Sequence, residues 1–220
     1  MEIRKISEWG ALEPLAEAWN ALVLAMPGAP VCSTFPWAQS WWETFGHGRD
    51  LLVLVAEAED GTLCGIAPLY REQGTLGELF PLKQVRFIGG KPVSADFLDV
   101  IVRPGMEHRV LPAFLEALAE DGNWERLHLT DIGTASPTMP ELHAWAEGRG
   151  YRSCECEAYT CSVLALPGSM DEVMQGLKRK FRKYLRNTCI GKLENGRRVR
   201  FEPAVREDLS AHVNRLMTLH

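Results

Sequence analysis

The 220-residue sequence contains no apolar run long enough to span a membrane. Its longest runs, Ala21–Met26 and Leu51–Ala56, hold six residues each, whereas a spanning helix needs about 20. The opening stretch MEIRKISEWG mixes both charge signs, and Ala21–Met26 lies too late and is too short for the apolar centre of a secretory signal. No membrane insertion is expected, and the cytoplasm is the expected location. Also missing are the patterns GxxxxGK(S/T), HExxH, GxSxG and GxGxxG. Their absence removes the usual sequence support for nucleotide hydrolysis, zinc proteolysis and ester hydrolysis. Internal repeats and low-complexity segments are absent as well.

Paired CxxC spacings are lacking too. The six cysteines, Cys32, Cys64, Cys154, Cys156, Cys161 and Cys189, follow no disulfide framework, and free thiols in a reducing compartment are expected. Three thiolates from Cys154, Cys156 and Cys161, joined by His143, are the one conceivable zinc set. Strand parity opposes it, because Cys154 and Cys156 share a face and Cys161 has the other parity unless Glu157-Ala158 bends. No metal is expected.

Basic residues are scarce over most of the chain. Residues 1–170 hold 12 Lys and Arg against 23 Asp and Glu, a net of −11. Residues 171–220 hold 12 against 6, a net of +6. This change of sign places a compositional boundary near Pro167-Gly168-Ser169. What is plentiful is aromatic bulk. Seven Trp and eight Phe, in a chain that is 46% hydrophobic and 24% charged, exclude a disordered composition and supply a core.

Periodicity indicates the order of elements. Leu12, Leu15, Ala16, Trp19, Leu22 and Val23 repeat at helical spacing before Pro27-Gly28. A second helix follows Thr34 as cap and Pro36 in its first turn, carrying Trp37, Trp41, Trp42 and Phe45 up to Gly46. Leu51–Ala58 and Thr62–Arg71 are strand-like runs about the hairpin turn Glu59-Asp60-Gly61. Further strands are expected at Gln84–Ile88, Phe97–Val102 and Arg126–Thr130, and one long strand or bent pair at Tyr151–Leu166. Helices are expected within Glu107–Glu120, with Pro112 in or near the first turn, and at Pro137–Arg149, closed by Gly150. Beyond the boundary, Val173, Leu177, Phe181 and Leu185 step by four, predicting an amphipathic helix over 171–188. Lys178, Arg179, Lys180, Arg182, Lys183 and Arg186 occupy its other side. A strand at Arg198–Glu202 and a helix at Glu207–Leu219 follow. The fold class is α/β, with a mixed sheet covered by helices.

Several residue groups have two readings. Arg86-Phe87-Ile88-Gly89-Gly90 resembles a phosphate-holding glycine loop, but such a loop must feed a helix N-terminus. Here Lys91-Pro92-Val93 follows, which favours a glycine turn ending a strand. His128 and Asp131 form either an acid/base pair or a hydrogen-bonded core histidine with a turn residue. Asp96 and Asp99 either bind an amine or sugar hydroxyl or shape a turn. Trp37, Trp41 and Trp42 either stack on a flat ligand or anchor their helix in the core. The basic helix presents either a solvated or partner-facing surface or a phosphate contact.

Taken in sequence, five segments resemble the N-terminal half of the CelD-like acetyltransferases of the GNAT acyl-CoA N-acyltransferase superfamily. They are Ser33-Thr34-Phe35-Pro36-Trp37, Trp41-Trp42-Glu43-Thr44-Phe45-Gly46, Gly65-Ile66-Ala67-Pro68-Leu69, Arg86-Phe87-Ile88-Gly89 and Asp96-Phe97-Leu98-Asp99. The run Leu177-Lys178-Arg179-Lys180-Phe181-Arg182-Lys183-Tyr184-Leu185-Arg186 is similar to the basic helix opening that family's second half, and Leu216-Met217-Thr218-Leu219-His220 to its next helix. The resemblance implies two GNAT-like domains in tandem, as in Fem-type peptidoglycan aminoacyltransferases. It implies a GNAT-like, largely antiparallel sheet over residues 1–167 and the incomplete start of an acyl-CoA-binding domain over 168–220.

The implied chemistry is attack of an amine or hydroxyl on an acetyl thioester, linked to polysaccharide or cell-envelope biosynthesis. Acetyl-CoA is the implied co-substrate, with none expected bound to this chain alone. The expected partner is a small-molecule or saccharide acceptor, with self-association through residues 171–220 as a further expectation. Trp41, Asp96, Asp99, Arg182 and Arg186 are the expected substrate-binding residues; no residue is assigned as base. Two alternatives stay open: a non-enzymatic carbohydrate- or protein-binding adaptor, and a nucleic-acid binder using the basic helix. The acidity of the chain opposes the second.

Overall fold

The computed structural model describes residues 1–28, 30–76, 80–93, 95–162, 167–190, 205 and 207–219. They divide into two compact units, Met1–Ala158 and Tyr159–His220.

In the first unit, β1 (Glu2–Ile6), α1 (Ala16–Ala25) and α2 (Phe35–Phe45) precede the hairpin of β2 (Asp50–Glu57) and β3 (Leu63–Leu76). Then come β4 (Phe80–Phe87), β5 (Ile101–Val102), α3 (Glu107–Asp121), β6 (Arg126–Leu127) and α4 (Thr138–Gly148). The sheet runs β1-β2-β3-β4-β6, with β5 also paired to β3. All pairs are antiparallel except β4 with β6. The fold is therefore the expected mixed, largely antiparallel sheet covered by helices. β1 has no alternation of its own; pairing with its neighbour β2 is what orders it. β2 lacks alternation for a different reason: Leu51–Ala56 is buried on both faces. On one face Val53, Val55, Ile66 and Tyr70 pack with Trp19, Leu22 and Trp41 of α1 and α2. On the other, Leu52, Leu54, Leu69 and Phe87 pack with Val110, Phe114 and Leu118 of α3.

The edge of β3 away from β2 determines the neighbourhood of the site. Leu69 pairs with Phe87, and Ile88 N–H still donates to Pro68 O at 2.8 Å. Ile66 and Gly65 pair with Ile101 and Val102. Only Ala67 thus lies between the two pairings, while the chain leaves the sheet over residues 89–100 and then rejoins it. β4 and β5 are two parts of one strand line broken by this excursion. The expected strand Phe97–Val102 is consequently cut to Ile101–Val102, and Phe97 sits at φ 56°.

Arg126–Thr130 is a strand only at Arg126–Leu127, with one further ladder bond from His128 N–H to Val85 O at 2.9 Å. Pro112 stands inside α3, past the first turn. Residues 151–162 form no strand; all are exposed, and none of the described strands pairs with them. Residues 163–166, the rest of that expected strand, and the expected strand Arg198–Glu202 lie outside the described residues.

In the second unit, the expected single helix 171–188 is broken into α5 (Met170–Gly176) and α6 (Arg179–Tyr184), followed by a π-helical stretch Leu185–Ile190. Gly176 ends α5, and Leu177 is extended at φ −80°, ψ 147°. The helix α7 (Leu209–Leu219) agrees with expectation, and all of its residues are exposed.

Candidate functional site

α2 connects the excursion to the core. Trp41, 3% exposed, donates its indole N–H to Gly90 O at 2.8 Å. One turn earlier Trp37 donates to Gly89 O at 3.4 Å. Gly89 has φ +99°, and a Cβ there would stand 3.0 Å from the Trp37 indole nitrogen, so this position demands glycine twice over. The glycine pair is a packed turn, and the chain continues from it into a loop.

Beyond α2 the same sheet face is polar. Glu72 on β3 accepts from Arg49 Nε at 2.8 Å, Gln84 Nε2 at 2.9 Å and Arg86 Nη1 at 3.2 Å. Gln84, itself 5% exposed, accepts from Arg126 Nη2 at 2.5 Å across the β4–β6 pair. Its side chain lies against Gly74, where a Cβ would come within 2.5 Å of it; the missing side chain on β3 is what lets the amide bridge Glu72 and Arg126. Arg49 also donates to Phe45 O and lies 5.7 Å from the Trp41 ring and 5.5 Å from that of Tyr70.

His128 completes this face, two residues after Arg126. Burial lowers its pKa below the usual imidazole value, and the cations Arg86, Arg126 and Lys91 lower it further against an opposing pull from Glu72. It is therefore neutral at pH 7. Its Nδ1 and Arg126 Nε are sealed from solvent with no hydrogen-bond partner among the described residues. Asp131, the other member of the candidate acid/base pair, makes no hydrogen bond to His128 among the described residues and adopts φ 67°.

The expected site residues are thus dispersed in role. Trp41 is a core anchor, with its ring packed on Tyr70 at 5.0 Å and on Phe45 at 5.7 Å; a buried ring has no free face for a ligand. Asp96 is exposed in the excursion. Asp99, in the same excursion, accepts from Thr138 Oγ1 at 2.6 Å and from Val100 N–H at 2.7 Å, securing the start of α4. Arg182 donates Nη2 to Gln175 O and Leu177 O at 3.1 and 3.0 Å, satisfying carbonyls where α5 ends. Arg186 is exposed. Trp41 and the two aspartates share one neighbourhood through the excursion; the arginines belong to the other unit.

Burial raises the Asp99 carboxyl above its ordinary pKa, against the hydrogen bonds from Ser136 and Thr138. Ionising a group so placed weakens the fold as pH rises past 3.8 toward the folded-state pKa. We expect Asp99→Asn, which keeps the acceptor oxygen, to raise the thermal midpoint at pH 7, with the gain vanishing below pH 4. A midpoint lowered at pH 7 and unchanged below pH 4 reverses this sign.

An acyl-CoA pyrophosphate requires backbone N–H groups gathered at a helix start. Residues 89–90 feed no helix, and both their carbonyls are held by indoles. At the start of α3, Glu107 brings a carboxylate into the first turn. Arg103 is folded away onto Leu63 O at 2.8 and 3.3 Å. Neither place in Met1–Ala158 fits the group. Among the described residues no three His, Cys, Asp or Glu are grouped to hold a metal ion, and Cys154 and Cys156 are free thiols with sulfurs 3.7 Å apart.

The sequence matches no protein-family model and no curated protein. Among solved structures, it is similar to an aminoglycoside antibiotic 6'-N-acetyltransferase, AAC(6')-Ih, from Acinetobacter baumannii. That match has 14% identity and a TM-score of 0.41 over 74% of this chain and 99% of that one. It is likewise similar to AAC(6')-Iy, solved in complex with a bisubstrate analogue of coenzyme A, with 14% identity and a TM-score of 0.42 over 74% of this chain and 98% of that one.

Proposed function

We propose that Met1–Ala158 is a GNAT-like domain that forms the acceptor-side wall of an acyltransferase, with the acyl donor held elsewhere than on this unit. The acyl-transfer part of this reading rests on the ordered segments from Ser33 to Asp99 that resemble the CelD-like acetyltransferases. The wall part rests on one observation: the Trp37 and Trp41 indoles close the Gly89–Gly90 turn against α2, leaving no cradle for pyrophosphate. Beside that closed turn the sheet presents a polar face, which supports a role in holding an acceptor. Residues 168–220 are read as belonging to a second domain, and the acceptor as a saccharide or other envelope-related small molecule. In such a reaction a base takes the proton of the attacking amine or hydroxyl, and positioning of the two substrates contributes much of the rate.

Calorimetric titration tests the reading. Acetyl-CoA is expected to show no saturable binding to this chain; binding in the micromolar range overturns the proposal.

A further inference from the structure

The polar face has more positive charge than its carboxylate can neutralise. Met1–Ala158 is an acidic unit with 12 Lys and Arg against 23 Asp and Glu. Four of those basic residues, Arg49, Arg86, Lys91 and Arg126, nevertheless gather around Glu72, the one carboxylate that any of them is bonded to among the described residues, and the neutral His128. Glu72 is already shared by Arg49, Arg86 and Gln84. Arg86 has one nitrogen on Glu72 and Arg126 one on Gln84. The remaining Arg86 nitrogens, Arg126 Nη1 and His128 Nε2 have no hydrogen bond among the described residues and are not sealed from solvent. Lys91 is exposed beside them. Arg49 and Arg86 thus divide the one charge of Glu72, and Arg126 reaches only the neutral Gln84 among the described residues. Half-buried positive charge compensated so incompletely destabilises a fold unless something else offsets it.

We infer that the face formed by Arg86, Arg126 and His128 binds the oxyanion, a carboxylate or phosphate, of a small-molecule ligand, and that the acceptor in the proposed transfer is accordingly anionic. The acceptor assignment rests on the reading of this face as the acceptor wall. The strand register supports the chemistry. Gln84 opposite Arg126 holds that guanidinium in place, and Glu72 does the same for Arg86, so two planar forks are oriented before the ligand arrives. His128 adds a donor whose protonation the ligand itself would favour. The charged groups that act on it most strongly are Arg86, Arg126, Lys91 and Glu72. An anion beside it would offset the three cations and raise its pKa, so that proton uptake accompanies binding.

The test titrates the full chain with inorganic phosphate and with D-glucuronate, by calorimetry and thermal shift. Saturable binding of either probe is expected, and whichever binds more tightly identifies the ligand group as phosphate or carboxylate. Arg86→Gln and Arg126→Gln should each weaken it by about tenfold. Lys91→Ala, at an exposed site that cannot disturb the fold, should weaken it by about two- to fivefold. Glucuronate stays ionised throughout, so its affinity should rise between pH 7.5 and 5.5, and His128→Gln should abolish that rise. No saturation by either probe at about 10 mM, or equal affinity in all variants, overturns the inference. Acetyl-CoA is titrated in parallel. Its tight binding overturns the wall reading whatever the probes do, and its displacement by phosphate also removes the acceptor assignment.

Discussion

Replacing Asp121 with alanine is expected to lower the unfolding free energy by about 3–5 kcal/mol. Asp121 ends α3, where the helix dipole disfavours a negative charge. Burial pushes its pKa up, but Lys5 and Arg71 outweigh this and hold the carboxyl below its ordinary value. Lys5 Nζ lies at 2.6 Å and Arg71 Nη1 at 3.2 Å, so one carboxylate ties α3 to both β1 and β3. The side chains of Asp121 and Arg71 are 7% and 12% exposed, and removal of the acid strands a guanidinium whose Nε already has no partner among the described residues. Lys5 is half exposed and contributes little. All seven tryptophans precede residue 159, so urea unfolding followed by their fluorescence reports this unit alone. The pH dependence provides a second readout. With the folded-state pKa below 3.8, the stabilisation is complete above that value and is lost as pH falls through the folded pKa. Asp121→Asn should flatten this acid limb. A loss under 1 kcal/mol in Asp121→Ala would show that the cluster is not what joins the three elements.

Trp41→Ala should cost a similar amount, about 3–5 kcal/mol, because it empties a space between α2, Tyr70 and Phe45. Trp41→Phe separates the two contributions. It keeps most of the ring but loses the hydrogen bond to Gly90 O, at a cost of about 1–3 kcal/mol for the carbonyl left unsatisfied plus the lost packing. Hydrogen exchange should accelerate over residues 89–100 in Trp41→Phe while β2 stays protected. Unchanged exchange there would mean that the indole is not what secures the excursion.

Residues whose burial is decided by near neighbours in sequence were legible. The helix with Trp37, Trp41 and Trp42, the hairpin about Asp60-Gly61 and the stop at Gly150 all follow from local pattern and turn chemistry. The segments that failed depend on distant partners. Phe97–Leu98 runs into the apolar stretch Val100–Val102 like the start of a strand but has no length of β3 left to pair with, because Leu69 is already paired with Phe87. Val173, Leu177, Phe181 and Leu185 keep a helical period across Gly176, yet the backbone breaks there and the Arg182 guanidinium fills the gap.

The polar face was half written in the sequence. Gln84 and Arg86 alternate with Val85 and Phe87, as Arg126 and His128 alternate with Leu127 and Leu129, which marks one polar side on each segment. What no pattern could supply is the parallel pairing of Gln84 with Arg126, which sets those two sides next to each other. Nor could it supply the close approach at Gly74 that opens room for the Gln84 amide. The aromatic character that marks Trp41 in the sequence is spent by the fold on packing, and the charge that marks Asp99 is kept mostly out of water.

The broken strand line also bears on how such a scaffold can diversify. Residues 88 and 101 are held by adjacent stretches of a single partner, so the distance between the ends of the detour does not depend on its length. Closing a longer detour costs only slowly growing entropy, and neither half of the line changes its register. With the glycine pair anchored to α2, the exposed positions Lys91, Pro92, Asp96 and Phe97 can be recoded beside the basic face, whereas Ala95, Leu98 and Asp99 are tied into what carries them.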